Sequence, residues 1–273
     1  MTRLPKSALA FIALASVIAG GCGGNSATPS PTPITDPNVV ITRSLAAIPA
    51  VTSLHLKLEV SGKANIGTLT GGRIGFGLLG NVDVSGTTVE GDVDVAKLAT
   101  DLKFAVPGLL GLTGEIVVID GNVYEKNSLT DPKFKVSKLS DSVPIAMPSP
   151  GALASIDVVA GLAPFRKTLT DTGATPTLLA DDKVNGQDAY HVSVSVPIDA
   201  INTLLAGQGS STAAMKLDSA SLDYWAYTDT LLPARITIVA SGASLGNLTL
   251  VFTLTDYGKS VSVTAPAASD IQS

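Results

Sequence analysis

The sequence predicts an α+β fold: a curled antiparallel sheet of about ten or eleven strands, with three or four helices packed against it. Three observations carry that reading. Most of the chain alternates apolar and polar residues with period two, the pattern of half-buried strands. Short turns join the alternating segments, which makes sequential neighbours antiparallel. Helical periodicity is confined to the start of the body and to two insertions, whereas a doubly wound sheet places a helix between every pair of strands. A sheet with this many strands must curl or split.

Ahead of the body, "MTRLPKS" carries Arg3 and Lys6 and no acid, and Ser7 to Gly20 are apolar or small. A positive start and an apolar run too short to span a bilayer read as an export signal. The only cysteine of the 273 residues, Cys22, follows directly on Ala19-Gly20-Gly21. A lipoprotein signal requires both the small residues and the cysteine. Its thiol is alkylated by a diacylglycerol, and the chain is then cut so that the cysteine becomes the N-terminus. A lone cysteine has no internal disulfide partner, and only two histidines are present to build a metal site with it. Cys22 is therefore the expected lipid attachment, residues 1–21 the signal peptide, and the cell envelope, on the extracytoplasmic face of the membrane, the expected location. Two or three acyl chains hold a protein to a membrane firmly where one does so only marginally.

Residues 22–35 are rich in Gly, Ser, Thr and Pro, with no charge from Gly23 to Thr35. They read as a flexible tether of some 40 Å when extended, at roughly 3 Å per residue. Residues 36–266 form the expected single domain and 267–273 a tail.

The body opens with a helix in "TDPNVVITRSLAAIPA". Asp36 is its N-cap, Pro37 its first residue, Ile41, Leu45 and Ile48 its stripe and Pro49 its stop. "SLHLKLEVSGK" is a strand with Leu54, Leu56, Leu58 and Val60 on one face and His55, Lys57 and Glu59 on the other. A Gly-rich segment, Ile66 to Leu79, precedes strands in "NVDVSG" and "TVEGDVDVA". "GEIVVIDGNVYEKN" is a hairpin turning at Asp120-Gly121. "SPGALASIDVVAGLAPFRKTLT" switches to helical period, with Leu153, Ile156, Val159 or Ala160, and Ala163 on one face and Pro164 as a break. Strands return around an Asn185-Gly186 turn, and "PIDAINTLLAG" is a short helix from Pro197 to Gly207. The last third reads as the strands "ASLDYWAYT", "ARITIVAS", "LTLVFTLTD" and "KSVSVTAP".

Composition narrows the function. Removing Arg3 and Lys6 leaves 16 bases against 23 acids, and no cluster of Lys or Arg appears. That argues against nucleic acid and against electrostatic adhesion to anionic lipid. Mean hydropathy is +0.37 and only 15% of residues are charged. The apolar excess must be buried in a core, an interface or a cavity. Catalytic candidates are thin. His55 shares a strand face with Lys57 and Glu59, and His191 with Ser193 and Ser195, so both read as surface positions. Asp92 and Asp94 lie on one strand face opposite Val93 and Val95 and read as the solvated face of that strand, and Asp181-Asp182 lead into a turn at the surface. There is no G-x-S-x-G elbow, P-loop or metal-spaced cluster. The body reads as non-catalytic, with no cofactor and no metal.

The ordered segments "DPNVVITRSLAAIPAVTSLHLKLEVSGK", "VVIDGNVYEK", "SPGALASIDVVAGL", "KVNGQDAYHVSVSVP", "LDYWAYTDTLLPARITIV" and "LTDYGKSVSVTAP" resemble the LppX/LprA/LprF/LprG lipoproteins of mycobacterial type. The resemblance touches most of residues 36 to 266 and implies a U-shaped half-barrel with helices packed against it around an apolar cavity for acyl chains of envelope lipids or glycolipids. It fits only loosely across Ile66 to Leu79 and across Lys97 to Gly114, where the mouth of such a cavity could be reshaped.

The expected function is a membrane-anchored carrier of lipid or glycolipid, with a lipid transporter as a possible partner. Its lining is expected on alternating strand positions, Val82, Val84, Val93, Val95, Ile236 and Ile238, and on the helix stripe, Ile156 and Val159. Two rivals stand beside it. One is an envelope interaction or signalling module that binds a protein partner through Tyr224, Trp225 and Tyr227. The other is a hydrolase without a recognisable motif.

Overall fold

The structure is a computed structural model that describes residues 33–65, 81–139, 173–207, 216–243 and 245–272. The Gly-rich segment Ile66 to Leu79 and the inserted helix expected around Ile156 and Val159 lie outside the described residues.

Helix α1 (Pro37–Ala47) begins as its sequence dictates: the Asp36 carboxylate accepts from the Asn38 N–H at 2.8 Å, and Pro37 occupies the first turn. A 3₁₀ turn, Ile48–Ala50, follows it. The buried stripe is Val40, Ile41, Ser44 and Ile48, with Leu45 half-buried. A serine thus occupies the stripe at a place where the periodicity names leucine. The second described helix, α2 (Ile198–Gly207), follows Pro197.

Thirteen described strands form one sheet: β1 (Ser53–Asn65), β2 (Asn81–Asp83), β3 (Thr87–Asp94), β4 (Ala99–Val106), β5 (Leu112–Ile119), β6 (Asn122–Asn127), β7 (Asp131–Lys138), β8 (Thr175–Leu178), β9 (Asp182–Val184), β10 (Gln187–Ser195), β11 (Ser219–Tyr227), β12 (Pro233–Gly242) and β13 (Gly246–Thr255). Their order is β7-β6-β5-β4-β3-β1-β13-β12-β11-β10-β8, with β2 also on β1 and β9 also on β10. Every pairing between them is antiparallel, and the sheet is not closed into a barrel, since β7 and β8 end the path without pairing. The α+β class and the antiparallel sheet therefore stand, with more strands than the ten or eleven expected. The two expected hairpins are present: Asp120 (φ 51°) with Gly121 (φ 69°), and Asn185 (φ 51°) with Gly186 (φ 82°), have the left-handed pairs that match strand twist.

One expected strand is absent. "KSVSVTAP" alternates, with Val261 and Val263 half-buried between exposed neighbours, yet it joins no ladder. Alternation assigns faces, but a strand also needs a free edge, and both sides of β1 and of β13 are already paired. The chain continues instead to the open edge of β7. There Ile271 makes a parallel bridge with Phe134, and the Gln272 N–H donates to the Phe134 carbonyl at 2.8 Å. The expected tail thus ends on the sheet.

Candidate functional site: the apolar face of the sheet

Residues opposite one another in register share a face, so the pairings divide the sheet into two surfaces. On β1, Leu54, Leu56, Leu58 and Val60 point one way. Opposite them lie Val93, Gly91 and Val89 of β3, and Leu254, Phe252 and Leu250 of β13. The same face continues through Ile236 and Ile238 of β12, Tyr224 and Leu222 of β11, and Val192 and Val194 of β10. In the other direction it runs through Leu102 and Phe104 of β4, Ile116 and Val118 of β5, and Val123 of β6.

The opposite face is polar. It carries His55, Lys57 and Glu59, and a cross-strand ladder of alternating charge, Glu90, Lys103, Glu115 and Lys126. Lys126 closes on Glu115 at 2.6 Å and also lies 4.3 Å from the centre of the Phe134 ring.

Burial along the apolar face is uneven, and the described helices pack on it at two places. Val40 and Ile41 of α1 pack with Tyr190, Val192, Tyr224 and Ala226. Ile198 and Ile201 of α2 pack beside Val84, Leu217, Ala240 and Leu248. Between them Leu222, Ile236, Ile238, Leu250 and Phe252 are only half-buried, and Leu56 likewise. Ile238 belongs to no packed cluster among the described residues. A band of large, branched or aromatic hydrocarbon side chains, without polar interruption, thus runs across neighbouring strands. Its chemistry suits contact with hydrocarbon and offers no reactive group.

All six described residues expected to line a cavity lie on or continue this face, in two environments. Val84 and Val93 are buried in the clusters at the sheet ends, Val84 with Ala64 and Leu248 and Val93 with Leu54 and Leu254. Val82 and Val95 are half-buried at the margins of the same clusters. Ile236 and Ile238 lie in the half-buried band. Leu56, Leu222, Leu250 and Phe252 belong with those two and were legible from the same alternation.

The aromatic patch is overturned. Tyr224, Trp225 and Tyr227 are 0%, 8% and 4% exposed. Tyr224 faces α1, with its hydroxyl 2.5 Å from that of Ser44, and burial raises its pKa well beyond that of a free phenol. Trp225 is on the polar face, stacked on His191 with ring centres 4.1 Å apart, and the Arg235 guanidinium lies over it at 5.6 Å. Large aromatic rings on a strand with both faces covered make core, not interface.

The remaining polar candidates are structural pairs. His55 Nδ1 is 2.8 Å from Asp92 and Nε2 is 3.3 Å from Glu90. Burial alone would lower this imidazole's pKa, but the two carboxylates outweigh it and raise it above 6.5. Asp94, expected on a solvated face, is buried; the Lys97 ammonium at 2.8 Å and the Lys97 N–H hold its carboxyl below the usual range. His191 Nε2 lies 3.3 Å from Asp223. Among the described residues no group of three His, Cys, Asp or Glu is placed to hold a metal, and no helix is long and apolar enough to cross a membrane.

Comparison with known proteins adds the following. The family model of the LppX_LprAFG lipoproteins matches residues 36–263. The lipoarabinomannan carrier protein LprG of Mycolicibacterium smegmatis is 28% identical over 269 residues, covering 96% of each chain. The crystal structure of Mycobacterium tuberculosis lipoprotein LppX matches at 18% identity and a TM-score of 0.48, covering 83% of this chain and 97% of that one. The crystal structure of MucB matches at 16% identity and a TM-score of 0.38, over 87% of this chain and 62% of that one.

Proposed function

The chain belongs to the LppX_LprAFG lipoprotein family, and from that premise we propose that it carries envelope lipid or glycolipid by shielding the acyl chains against the apolar face of its sheet. The observation that supports this most is the half-buried band of Leu56, Leu222, Ile236, Ile238, Leu250 and Phe252 between the two described helices. Hydrocarbon costs about 0.8 kcal/mol per CH₂ to hold in water, so a sixteen-carbon chain faces on the order of 12 kcal/mol. A cavity walled on one side by this band removes most of that cost, and holding the lipid requires no catalytic group and no nucleotide. Val82, Val84, Val93 and Val95 support the wall from its ends, and Ile156 and Val159 would face it from the inserted helix.

Acylation of Cys22 would keep the body at the extracytoplasmic surface of the membrane that supplies the lipid, and residues 22–35 would let it approach that surface. A membrane transporter is the class of partner that would load or unload such a carrier.

The relative named a lipoarabinomannan carrier makes a glycolipid the first ligand to seek. The experiment is organic extraction of the protein purified from its own membrane, followed by mass spectrometry. Stoichiometric lipid is the expected result; repeated recovery of lipid-free protein would reject the carrier reading.

A further inference from the structure

At the end of the sheet where β10, β11, β12 and β13 meet, three turns enclose an open groove of ≈ 440 Å³. That volume falls in the range of small-ligand clefts, about 300–1,000 Å³. The turns are far apart in sequence: Asn185-Gly186, Asp229 to Leu232, and Asp256 to Lys259. Each holds a non-glycine residue in the left-handed region, Asn185 at φ 51°, Leu231 at φ 58° and Asp256 at φ 56°. For a leucine this is an unfavourable backbone. It is fixed here by the Leu231 N–H donating to the Tyr227 carbonyl at 2.9 Å and the Tyr227 N–H donating to the Leu232 carbonyl at 3.0 Å.

The floor of the groove is apolar and rigid. Leu232 and Tyr257 pack both on the cluster around Trp225 and on the cluster around Leu54 and Val93, so they join the two faces at the sheet's rim. Tyr257 donates its hydroxyl to the Pro233 carbonyl at 2.6 Å, and Tyr227 donates its own to the Leu254 carbonyl at 3.3 Å, which fixes both rings. The walls are polar, formed by Asn185, Gln187, Asp229, Thr230, Asp256 and Lys259. Lys259 pairs with Asp256 at 2.5 Å, so each cancels the other's charge. Asp229 accepts from the Thr230 N–H at 2.7 Å through one oxygen.

The residual charge is therefore negative, which disfavours phosphate or carboxylate ligands. The amides and hydroxyls both donate and accept, and the carboxylates accept. A ligand that complements such walls is neutral, carries several hydroxyls and has an apolar C–H face to lie on the floor. We propose that this groove binds a neutral saccharide unit. The inference goes beyond the carrier reading, because the sugar could come from the headgroup of a carried glycolipid or from a free envelope glycan.

The test is saturation-transfer NMR on the full mature chain in micelles, using maltotriose and xylotriose as hexose and pentose probes and inorganic phosphate as a competitor. Saturation transfer from the protein to at least one trisaccharide is expected, without competition by phosphate. A Gln187→Ala/Asp229→Ala variant with an unchanged melting midpoint should bind about tenfold or more weakly, as expected when hydrogen bonds to a ligand are lost. No transfer to either sugar, equal binding by the variant, or displacement by phosphate would each overturn the proposal. Should the variant fail to fold, Thr230→Val with the same readout replaces it. Loading with a glycolipid separates the sources: a headgroup in the groove blocks the free sugar, whereas diacylglycerol loading leaves it binding. A protein that yields no lipid but still binds sugar would reject the carrier reading and keep this one.

Discussion

The hydroxyls of Ser44 and Tyr224 lie 2.5 Å apart in a fully buried contact that joins α1 to β11 across 180 positions of sequence. It is a polar link inside an apolar layer formed by Val40, Val192 and Ala226. Removing the Tyr224 hydroxyl takes this partner from the Ser44 hydroxyl in a place where no water can replace it. Tyr224→Phe should lower the unfolding free energy by about 1–3 kcal/mol, read from urea denaturation with the slope unchanged. The loss in the double variant with Ser44→Ala should be smaller than the sum of the two single losses, because the two residues share one interaction.

Gly91 lies on the apolar face between Leu56 of β1 and Leu102 of β4. A Cβ built there would fall 1.9 Å from the Asp101 carbonyl oxygen, a backbone atom that cannot swing away. Gly91→Ala should therefore cost about 1–3 kcal/mol, in the range of overpacked or strained core positions. The measurement is the midpoint shift in chemical denaturation; a change below about 0.5 kcal/mol, typical of an unconstrained surface site, would contradict the close approach.

The raised pKa of His55 makes a pH prediction with a definite sign. Its charged form is favoured in the folded state by Asp92 and Glu90. The resulting stabilisation is fully present below the unfolded value near 6.5 and is lost as pH rises through the folded pKa. Unfolding free energy should fall as pH rises from about 6.5 through the folded pKa. Asp92→Asn should reduce that slope, and added salt should do the same, since the side chains are partly exposed.

Ile238 tests the proposed wall. Ile238→Trp should lower the lipid recovered per protein while keeping the melting midpoint within a few degrees, because the side chain is half-buried and outside the packed clusters. Val93→Ala, at 9% exposure in a cluster with Leu54 and Leu254, should instead destabilise by about 1–3 kcal/mol. Cys22→Ala should move the protein from the membrane fraction to the soluble one, checked by fractionation and intact mass.

The C-terminal residues cap the outer strand. Truncation after Ala267 removes the Ile271 bridge to Phe134 and the Gln272 hydrogen bond, leaving more of the β7 edge unpaired. Free edges recruit other strands. The shortened chain should self-associate in light scattering at concentrations where the full chain does not.

Much of this was legible in the primary structure, because the relevant signals are local. The alternation of Leu54 to Val60 assigns faces by the two-residue period of a strand. Asp36-Pro37 starts α1 through hydrogen bonds within its own first turn, and Asn185-Gly186 and Asp120-Gly121 set their hairpins by backbone preference alone. The apolar face, and with it Ile236 and Ile238, follows from that alternation.

What the sequence determined by itself is the local geometry of each strand, turn and cap, since those depend on neighbours a few residues away. Only the tertiary structure decided what each face meets. It put Ser44 against Tyr224 and buried Trp225 against His191. It left Val261 and Val263 without a ladder, because the adjoining edges were taken, and brought Asn185, Asp229 and Asp256 around one groove. These outcomes depend on strand order across more than a hundred residues, and periodicity along the chain carries no information about which edge is still free.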